Sequence, residues 1–297
     1  MRVNSTMLHN RVLQDITSGY RKVAKLHEQA SSGLKVRYPS DDAIVATRAS
    51  NASNHLREID QYKRNGNTVG TYLKMYDKVT QEMSSLTTRV RELTVQGANG
   101  SLTTEDRKGI AREIQKIKEQ MVQLANTNLG GEHIFGGADA SKPPVKDSGE
   151  IQMPPKADVK QMTDLGGYKF EYGITTYDAF VVDGNESVFN LLDNITDNLN
   201  KENSGDYLNN TALEKVERFE YTIQRLTSQN GASEKFLDMA TNRFEEYSTF
   251  LTEFVSKEQD ADFIKTFTEL TNQQTALEAS MKTGGNVMNM SLVDFLR

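Results

Sequence analysis

Apolar residues recur at helical spacing close to both ends of the chain. Their steps of three, four or seven positions place them on one side of a helix. They are Val12, Ile16, Val23, Leu26 and Ala30 near the start, and Phe263, Phe267, Leu270, Leu277 and Met281 near the end. Ordinary termini fray, whereas such a stripe has to be buried against another helix. The pattern predicts terminal helices that pair with each other or with another copy of the chain.

Longer apolar seams lie further inside both flanks. Positions 69 to 93 alternate in steps of three and four, which is typical of a coiled coil. The seam residues are Val69, Tyr72, Tyr76, Val79, Met83, Leu86, Val90 and Leu93. A second seam contains Ile110, Ile114, Ile117, Met121 and Leu124, and a third contains Leu237, Ala240, Phe244, Tyr247, Leu251 and Phe254. These seams predict a rigid helical scaffold with a packed core.

Turn and capping residues set the expected helix boundaries. The first long helix is expected to begin after Pro39, with Ser40 or Asp41 as its cap, and to end near Gln96. A second helix is expected to begin at a capping box of Thr103 and Asp106. The pair Gly130-Gly131 is expected to end that helix.

The middle of the chain has a different composition. Four of the five prolines lie between Pro143 and Pro155, with glycine pairs on both sides. Residues 168–172 and 179–182 carry short strand patterns, and residues 188–199 carry the pattern of a short helix. The glycine-rich borders predict a small, β-rich and separable insert.

Composition excludes several classes of function. A net charge of -6, spread along the chain, disfavours a nucleic-acid partner, and no apolar run is long enough for membrane insertion. The chain has no cysteine, and its four histidines lack the spacing of metal ligands. The hydroxyl, carboxylate and glycine residues of 31–43 have neither a phosphate-loop spacing nor a nearby His that could act as a base. We therefore expect no enzyme activity, no metal and no cofactor.

Two segments carry a family resemblance. Residues 31–36 and 39–43 resemble the element that flagellins place between their first two helices, and residues 89–100 resemble the end of the long flagellin helix. The resembling loop includes Ser31, Ser32, Gly33, Leu34, Pro39, Asp41 and Asp42. The chain is thus identified as a member of the flagellin superfamily, and this resemblance favours one continuous helix through Asn230-Gly231.

Four further segments resemble the hook–filament junction branch of that superfamily. They are residues 1–3 (Met-Arg-Val), 133–137 (His-Ile-Phe-Gly-Gly), 273–280 (Gln-Gln-Thr-Ala-Leu-Glu-Ala-Ser) and 291–297 (Ser-Leu-Val-Asp-Phe-Leu-Arg). The resemblance implies a mainly α, flagellin-like fold with coiled-coil-like rods built from both flanks. The expected domains are an axial core (1–40 with 258–297), a rod (41–140 with 205–257) and a small β-rich insert (141–204).

The resemblance also implies partners. The expected neighbours are a FlgK-type hook-associated protein, flagellin, other copies in a helical ring, and a FlgN-type export chaperone at the C-terminal region. Secretion would follow the flagellar type III route to the hook–filament junction. The expected assembly interface combines the terminal stripes with Leu292 and Phe295, and Arg89, Arg91 and Glu92 form a candidate contact on the rod surface.

The sequence leaves three rival interpretations open. The chain could be flagellin itself, the bulk subunit of the filament. It could be an unrelated coiled-coil protein that forms tubes, although the loop at residues 31–43 argues against that. It could also be an enzyme on a flagellin-like frame, but residues 142–205 contain neither His nor Cys to support catalysis.

Overall fold

The computed structural model describes residues 5–152, 159–184, 186–201 and 205–295, with side chains at 5, 6, 8, 138 and from 287 onward left undescribed. Across these ranges the chain is mainly α-helical, with three antiparallel pairs of short strands. The helices are α1 (Ser5–Ser32), α2 (Ala43–Gly97), α3 (Thr104–Ala125), α4 (Thr176–Phe180), α5 (Val188–Leu199), α6 (Leu213–Gln259) and α7 (Phe263–Phe295). The strands are β1 (Asn128–Leu129), β2 (Glu132–His133), β3 (Gln161–Leu165), β4 (Tyr168–Tyr172), β5 (Val181–Asp183) and β6 (Glu186–Ser187).

Two compact units make up the fold. One contains residues 1–58 and 246–297, and the other contains residues 59–245. This division differs from the three expected domains, because the rod and the insert fall into the same unit. Helices α2 and α6 contribute residues to both units.

The start of α2 depends on a single carboxylate. Asp42 accepts hydrogen bonds from the backbone N–H groups two and three residues ahead, at 3.0 and 3.1 Å. It is therefore the helix cap, and the expected choice of Ser40 or Asp41 is wrong. Asp41 instead accepts from the N–H groups of Arg37 and Tyr38 in the preceding turn, which leaves its neighbour to cap the helix.

The start of α3 agrees with the prediction, but its end does not. Thr103 and Asp106 form the reciprocal capping box, with both side chain to backbone distances at 3.2 Å. The helix stops at Ala125, five residues before Gly130-Gly131. Those glycines have φ angles of +66° and +99° and form the turn between β1 and β2. Their positive φ is used for a hairpin and not for a helix cap.

Helix α6 runs without interruption through Asn230-Gly231, as expected. The Asn230 side chain is buried, and its amide donates to the carbonyl of Leu73 on α2 at 2.9 Å. This bond satisfies the buried amide, which explains why a pair of turn-forming residues is tolerated inside a helix. A π-helical turn, Tyr207–Ala212, precedes α6.

The insert mixes strands and helices. The expected strand at 168–172 is present and pairs with β3, and the expected helix at 188–199 is present. Residues 179 and 180 were expected in a strand, but they end the short helix α4. Thr175 caps that helix by accepting from the Asp178 N–H at 3.2 Å, so the strand begins only at Val181.

The insert also completes the core of the rod. Rings of Tyr76, Phe135, Phe180 and Phe189 follow one another with centroids 5.2 to 5.6 Å apart, and all four are buried. A second buried cluster joins Leu165 and Phe170 of the insert to Val69, Leu73 and Leu237 of the rod. In the structure the insert thus packs on the rod and shares its compact unit. Its glycines mark tight turns beside a shared core.

Candidate assembly surface

Helices α1 and α7 pack along each other as a terminal pair. Glycines allow their close approach. A Cβ atom at Gly19 would lie 2.8 Å from a methyl of Leu277, and one at Gly284 would lie 2.7 Å from a methyl of Val12. The Tyr20 hydroxyl on α1 also lies 3.4 Å from the Met281 sulfur. The two termini thus pair within the chain, which is one of the two partners that the sequence pattern allows.

One side of this pair remains open. Phe263, Ile264 and Phe267, close together on α7, keep 64%, 79% and 56% of their surface exposed. Leu13, elsewhere on α1, keeps 50%. The rings of Phe263 and Phe267 stack on each other with centroids 6.2 Å apart. A row of exposed large apolar side chains marks a surface that gains free energy when a partner covers it.

The residues of the expected interface divide into four groups. Leu270 and Leu277 are buried, and Leu277 lies against Gly19 of α1. Val12, Ile16, Val23 and Leu26 are partly buried. Phe263, Phe267 and Met281 are exposed. The side chains of Leu292 and Phe295 lie outside the described part of the structure.

A second exposed aromatic pair lies on α6 in the same unit. Tyr247 was expected in the packed seam, but it is 49% exposed and stacks on Phe250, which is 60% exposed. The assignment of Tyr247 to the core is therefore wrong. Leu251, the next residue of that seam, is buried, whereas the rings of Tyr247 and Phe250 face solvent.

The sequence contains a signal for three exposed apolar residues that the predicted seams leave out. Leu13, Phe250 and Ile264 each lie one position from a residue of an apolar seam. Such neighbours widen the apolar stripe beyond what one partner helix can cover. A wide stripe therefore indicates a second contact face beside the seam.

The terminal pair also contains an open groove of about 310 Å³. Its lining combines apolar side chains with small residues that keep the backbone accessible. The lining residues are Val12, Asp15, Ile16, Ala279, Ser280, Thr283 and Gly284. The groove lies further along the terminal pair than the exposed rings of Phe263 and Phe267, at least twelve residues along α7 from them.

Residues 33–42, which we call the family-motif loop because they carry part of the flagellin resemblance, connect α1 to α2. This loop contacts the connection between α6 and α7. Gly33, with a φ of +73°, turns the chain. Its carbonyl accepts from the Ala261 N–H at 2.8 Å, and the Lys35 N–H donates to the Gln259 carbonyl at 2.7 Å. Leu34 pairs with Asp260 across this contact. The loop thus fixes both helix connections of the unit with backbone hydrogen bonds.

Side chains stabilise the same loop from within. The hydroxyls of Ser31 and Ser32 both donate to the Glu28 carbonyl near the end of α1, at 3.0 and 2.8 Å. Asp41 accepts from two backbone N–H groups and lies 3.2 Å from the Lys25 ammonium. Hydrogen bonds from Tyr38, Arg37 and Lys25 lower the pKa of Asp41. Pro39 is exposed in the turn.

The candidate contact on the rod is a charged face whose partners lie in the same chain. Arg89 binds Glu113 of α3 at 2.7 Å and Glu92 at 2.9 Å. Arg91 reaches Glu220 of α6 at 3.4 Å. An open groove of about 490 Å³ lies beside them, and its exposed apolar member is Val95. A binding partner would have to compete with these internal ion pairs.

Within the described ranges, no group of three or more His, Asp or Glu side chains is placed to hold a metal ion. Among the same residues, none of the helices is both long enough and apolar enough to span a bilayer.

Comparisons with known proteins give the family context. Residues 3–140 match the family model of the bacterial flagellin N-terminal helical region. The chain is 26% identical to flagellar hook-associated protein 3 of Escherichia coli K12, over 98% of both chains. It is 27% identical to flagellin B of Vibrio anguillarum, but that match covers only 56% of this chain and 44% of the flagellin.

The fold is also known from crystallography. The crystal structure of FlgL from Bacillus cereus aligns with a TM-score of 0.60 at 22% identity, and it covers 69% of this chain and 99% of that chain. The likeness shows a shared fold. The two relatives named above are thus a flagellar hook-associated protein and a flagellin.

Proposed function

We propose that this chain is a structural adaptor that joins the flagellar hook to the flagellin filament, since residues 3–140 match the family model of the bacterial flagellin N-terminal helical region. One observation carries the proposal. The match to a hook-associated protein 3 extends over nearly the whole chain, whereas the match to flagellin B stops at about half of it. The bacterial flagellum is the expected location, and the junction is the proposed position within it.

The exposed side of the terminal pair supports a role in assembly. Burying one large apolar side chain stabilises a contact by roughly 1.5 to 3 kcal/mol. Phe263, Ile264 and Phe267 offer three such side chains next to one another on α7. We propose that neighbouring copies in a helical ring cover them. Leu277, which is buried against Gly19 of α1, helps to keep the pair together before assembly.

The remaining partners follow from the adaptor role. One axial side of the ring would contact a FlgK-type hook-associated protein, and the other would receive flagellin. Before export through the flagellar type III route, the exposed rings of α7 need protection in the cytoplasm. A FlgN-type chaperone that covers the C-terminal region would provide it, because it would bury the same apolar face.

Flagellin itself remains the second candidate, because the family model of residues 3–140 is that of flagellin. The two functions differ in self-association. A filament subunit polymerises along the axis, whereas an adaptor has to end one lattice and begin another. The purified adaptor should therefore stay monomeric or form small oligomers. Long filaments of this protein alone would transfer the assignment to flagellin.

The decisive experiment places a charge on the exposed face. In a strain that lacks this protein, we expect retained hooks and flagellin released into the medium. Phe267→Asp should be secreted but should fail to restore filaments, since a desolvated carboxylate costs several kcal/mol unless it is paired.

A second substitution on α7 provides the matched control. Asn272 is also exposed on α7 but lies on the side of the helix away from Phe263, Ile264 and Phe267, so Asn272→Asp introduces the same charge outside the tested face. That variant should restore filaments. Normal filaments with secreted Phe267→Asp would refute the proposed role of the α7 face, and normal filaments in the deletion strain would refute the adaptor function.

A further inference from the structure

The chain contains three Asn-Gly dipeptides, at 65–66, 99–100 and 230–231. In such a pair the backbone nitrogen of glycine can attack the carboxamide carbon of asparagine, because glycine has no side chain to obstruct the five-membered ring. The reaction needs a flexible backbone, an available amide nitrogen and an approachable carboxamide. The three sites share one dipeptide, so the fold alone decides which of them meets these needs.

Two of the sites are held inside helices. Asn65 lies in α2, where its amide donates to the Asp164 carbonyl and its oxygen accepts from Gln61, both at 2.9 Å. Asn230 lies in α6, is 5% exposed and donates to the Leu73 carbonyl. In a helix the nitrogen after each asparagine belongs to the hydrogen-bond ladder, and the rigid backbone keeps it away from the side chain.

The third site has the opposite environment. Asn99 and Gly100 lie in the exposed turn between α2 and α3, and a Cβ atom at Gly100 would meet nothing within 4 Å. Within the described residues, neither the Gly100 N–H nor the Asn99 side-chain amide donates a hydrogen bond. The nitrogen that attacks and the amide group that leaves therefore donate no hydrogen bond that the reaction would have to break.

The Asn99 oxygen is already polarised. It accepts from the Ser101 N–H at 3.1 Å and from the Ser101 hydroxyl at 2.9 Å. This oxygen carries the negative charge once the nitrogen has added to the carbon. Donors placed at an atom where charge develops stabilise the transition state. The contact to Ser101 also closes a ring around Gly100, which folds the carboxamide over the peptide that attacks it.

We propose that Asn99 is a site of self-catalysed deamidation in the folded protein. The Gly100 nitrogen bonds to the Asn99 carbon, the carbonyl electron pair moves to oxygen, and the proton lost from nitrogen is taken up by the leaving amide. Collapse of the intermediate expels ammonia and leaves a succinimide. Water then opens either carbonyl and yields aspartate or isoaspartate. The net change is the uptake of water and the loss of ammonia.

The product differs from the parent in charge and in backbone length. A new carboxylate appears two residues after the end of α2 and five before the start of α3. The nearer dipole end is the negative end of α2, which disfavours the added charge. The isoaspartate form also lengthens the backbone by one methylene group inside the turn that joins two core helices. The modification thus alters the end of the rod without touching its core.

The test follows the three sites in one sample. Purified protein is incubated at neutral pH in water enriched in heavy oxygen, and peptide mapping by mass spectrometry measures label at each asparagine. Asn99 should convert several-fold faster than Asn65 and Asn230. In denaturant the three rates should become similar, and the rate at Asn99 should fall below its folded value. Equal rates in the folded protein, or a higher rate at Asn99 after unfolding, would overturn the proposal.

Two variants separate the chemistry from simple exposure. Ser101→Ala removes the hydroxyl donor but keeps the backbone donor, so the rate at Asn99 should fall by a few-fold while Asn65 is unaffected. Gly100→Ala obstructs ring closure and should slow the reaction further. An unchanged rate in Ser101→Ala, with helicity preserved, would show that Ser101 does not assist and would overturn its assigned role.

Discussion

Two apolar seams of nearly equal spacing differ in solvent exposure in this molecule. In the rod, Val69, Tyr76 and Met83 are each no more than 1% exposed. In the terminal pair, Phe263 and Phe267 keep more than half of their surface in water. Helical spacing shows which residues share a face. It does not show whether the chain itself can cover that face.

The two seams differ in burial because they differ in how many helices and strands pack against them. The seam of α2 packs into a cluster that draws residues from α3, α5, α6 and the insert. The terminal pair consists of two helices, so each helix buries one side and leaves another open. A seam with enough neighbours becomes a core, and a seam with too few becomes a binding surface.

The sharpest test makes one chemical change in both regions. Phe135→Ala in the rod core should lower the free energy of unfolding by about 3 to 5 kcal/mol, because it removes a fully buried ring and leaves a cavity. Phe267→Ala should change it by no more than about 0.5 kcal/mol in the isolated subunit. Urea denaturation followed by circular dichroism measures both. Similar losses in the two variants would contradict the proposed contrast.

A second comparison uses charge. The Lys118 side chain is only 8% exposed and lies 2.7 Å from Asp193, so Asp193→Asn should cost about 1 to 3 kcal/mol by leaving an ammonium group poorly solvated. In the terminal unit, Lys257 and Glu253 are mostly exposed and 3.9 Å apart. Glu253→Gln should have an effect below about 0.5 kcal/mol. Urea denaturation measures the free energy of unfolding of both variants. A larger loss in Glu253→Gln than in Asp193→Asn would contradict the expected order.

A third comparison lies inside the terminal pair. Gly285→Ala should stabilise α7 by up to about 1 kcal/mol, because nothing lies within 4 Å of the new methyl and alanine favours the helix. At Gly284 the methyl would lie 2.7 Å from Val12, so the same substitution should lose most or all of that gain. Thermal melts of the two variants measure the difference. Equal melting temperatures would show that the close approach of α1 and α7 is not essential.

Much of the rod could be predicted from the sequence because local signals and packing agree there. The capping box at Thr103 and the seam from Val69 to Leu93 both appear as expected. The errors occurred where one residue type serves two purposes. Gly130-Gly131 was expected to end a helix and instead turns a hairpin, because a positive φ suits both.

The candidate site was harder to predict for a different reason. The sequence identified Phe267 and Leu277 as members of one stripe, but only the structure separates the exposed ring from the buried side chain. Their contrast depends on the position of α1, and Gly19 permits its approach. Tyr247 was assigned to the core by its spacing, although its neighbours leave it half exposed. Long-range contacts of this kind leave no local pattern.

The smallest expected effect concerns pH and the loop before α2. Hydrogen bonds from the Tyr38 and Arg37 N–H groups and from Lys25 lower the pKa of Asp41 in the folded protein. A carboxyl with a lowered pKa in the folded state stabilises that state above its unfolded pKa of about 3.9, and it loses this contribution as the pH falls through the folded value. Hydrogen exchange at Arg37 and Tyr38, after correction for intrinsic rates, should therefore accelerate as the pH falls below about 4. Amides in the middle of α3 serve as the reference, and Asp41→Asn should abolish the pH dependence at the loop. If the variant keeps the same acid-dependent exchange, a group other than Asp41 controls the order of this connection.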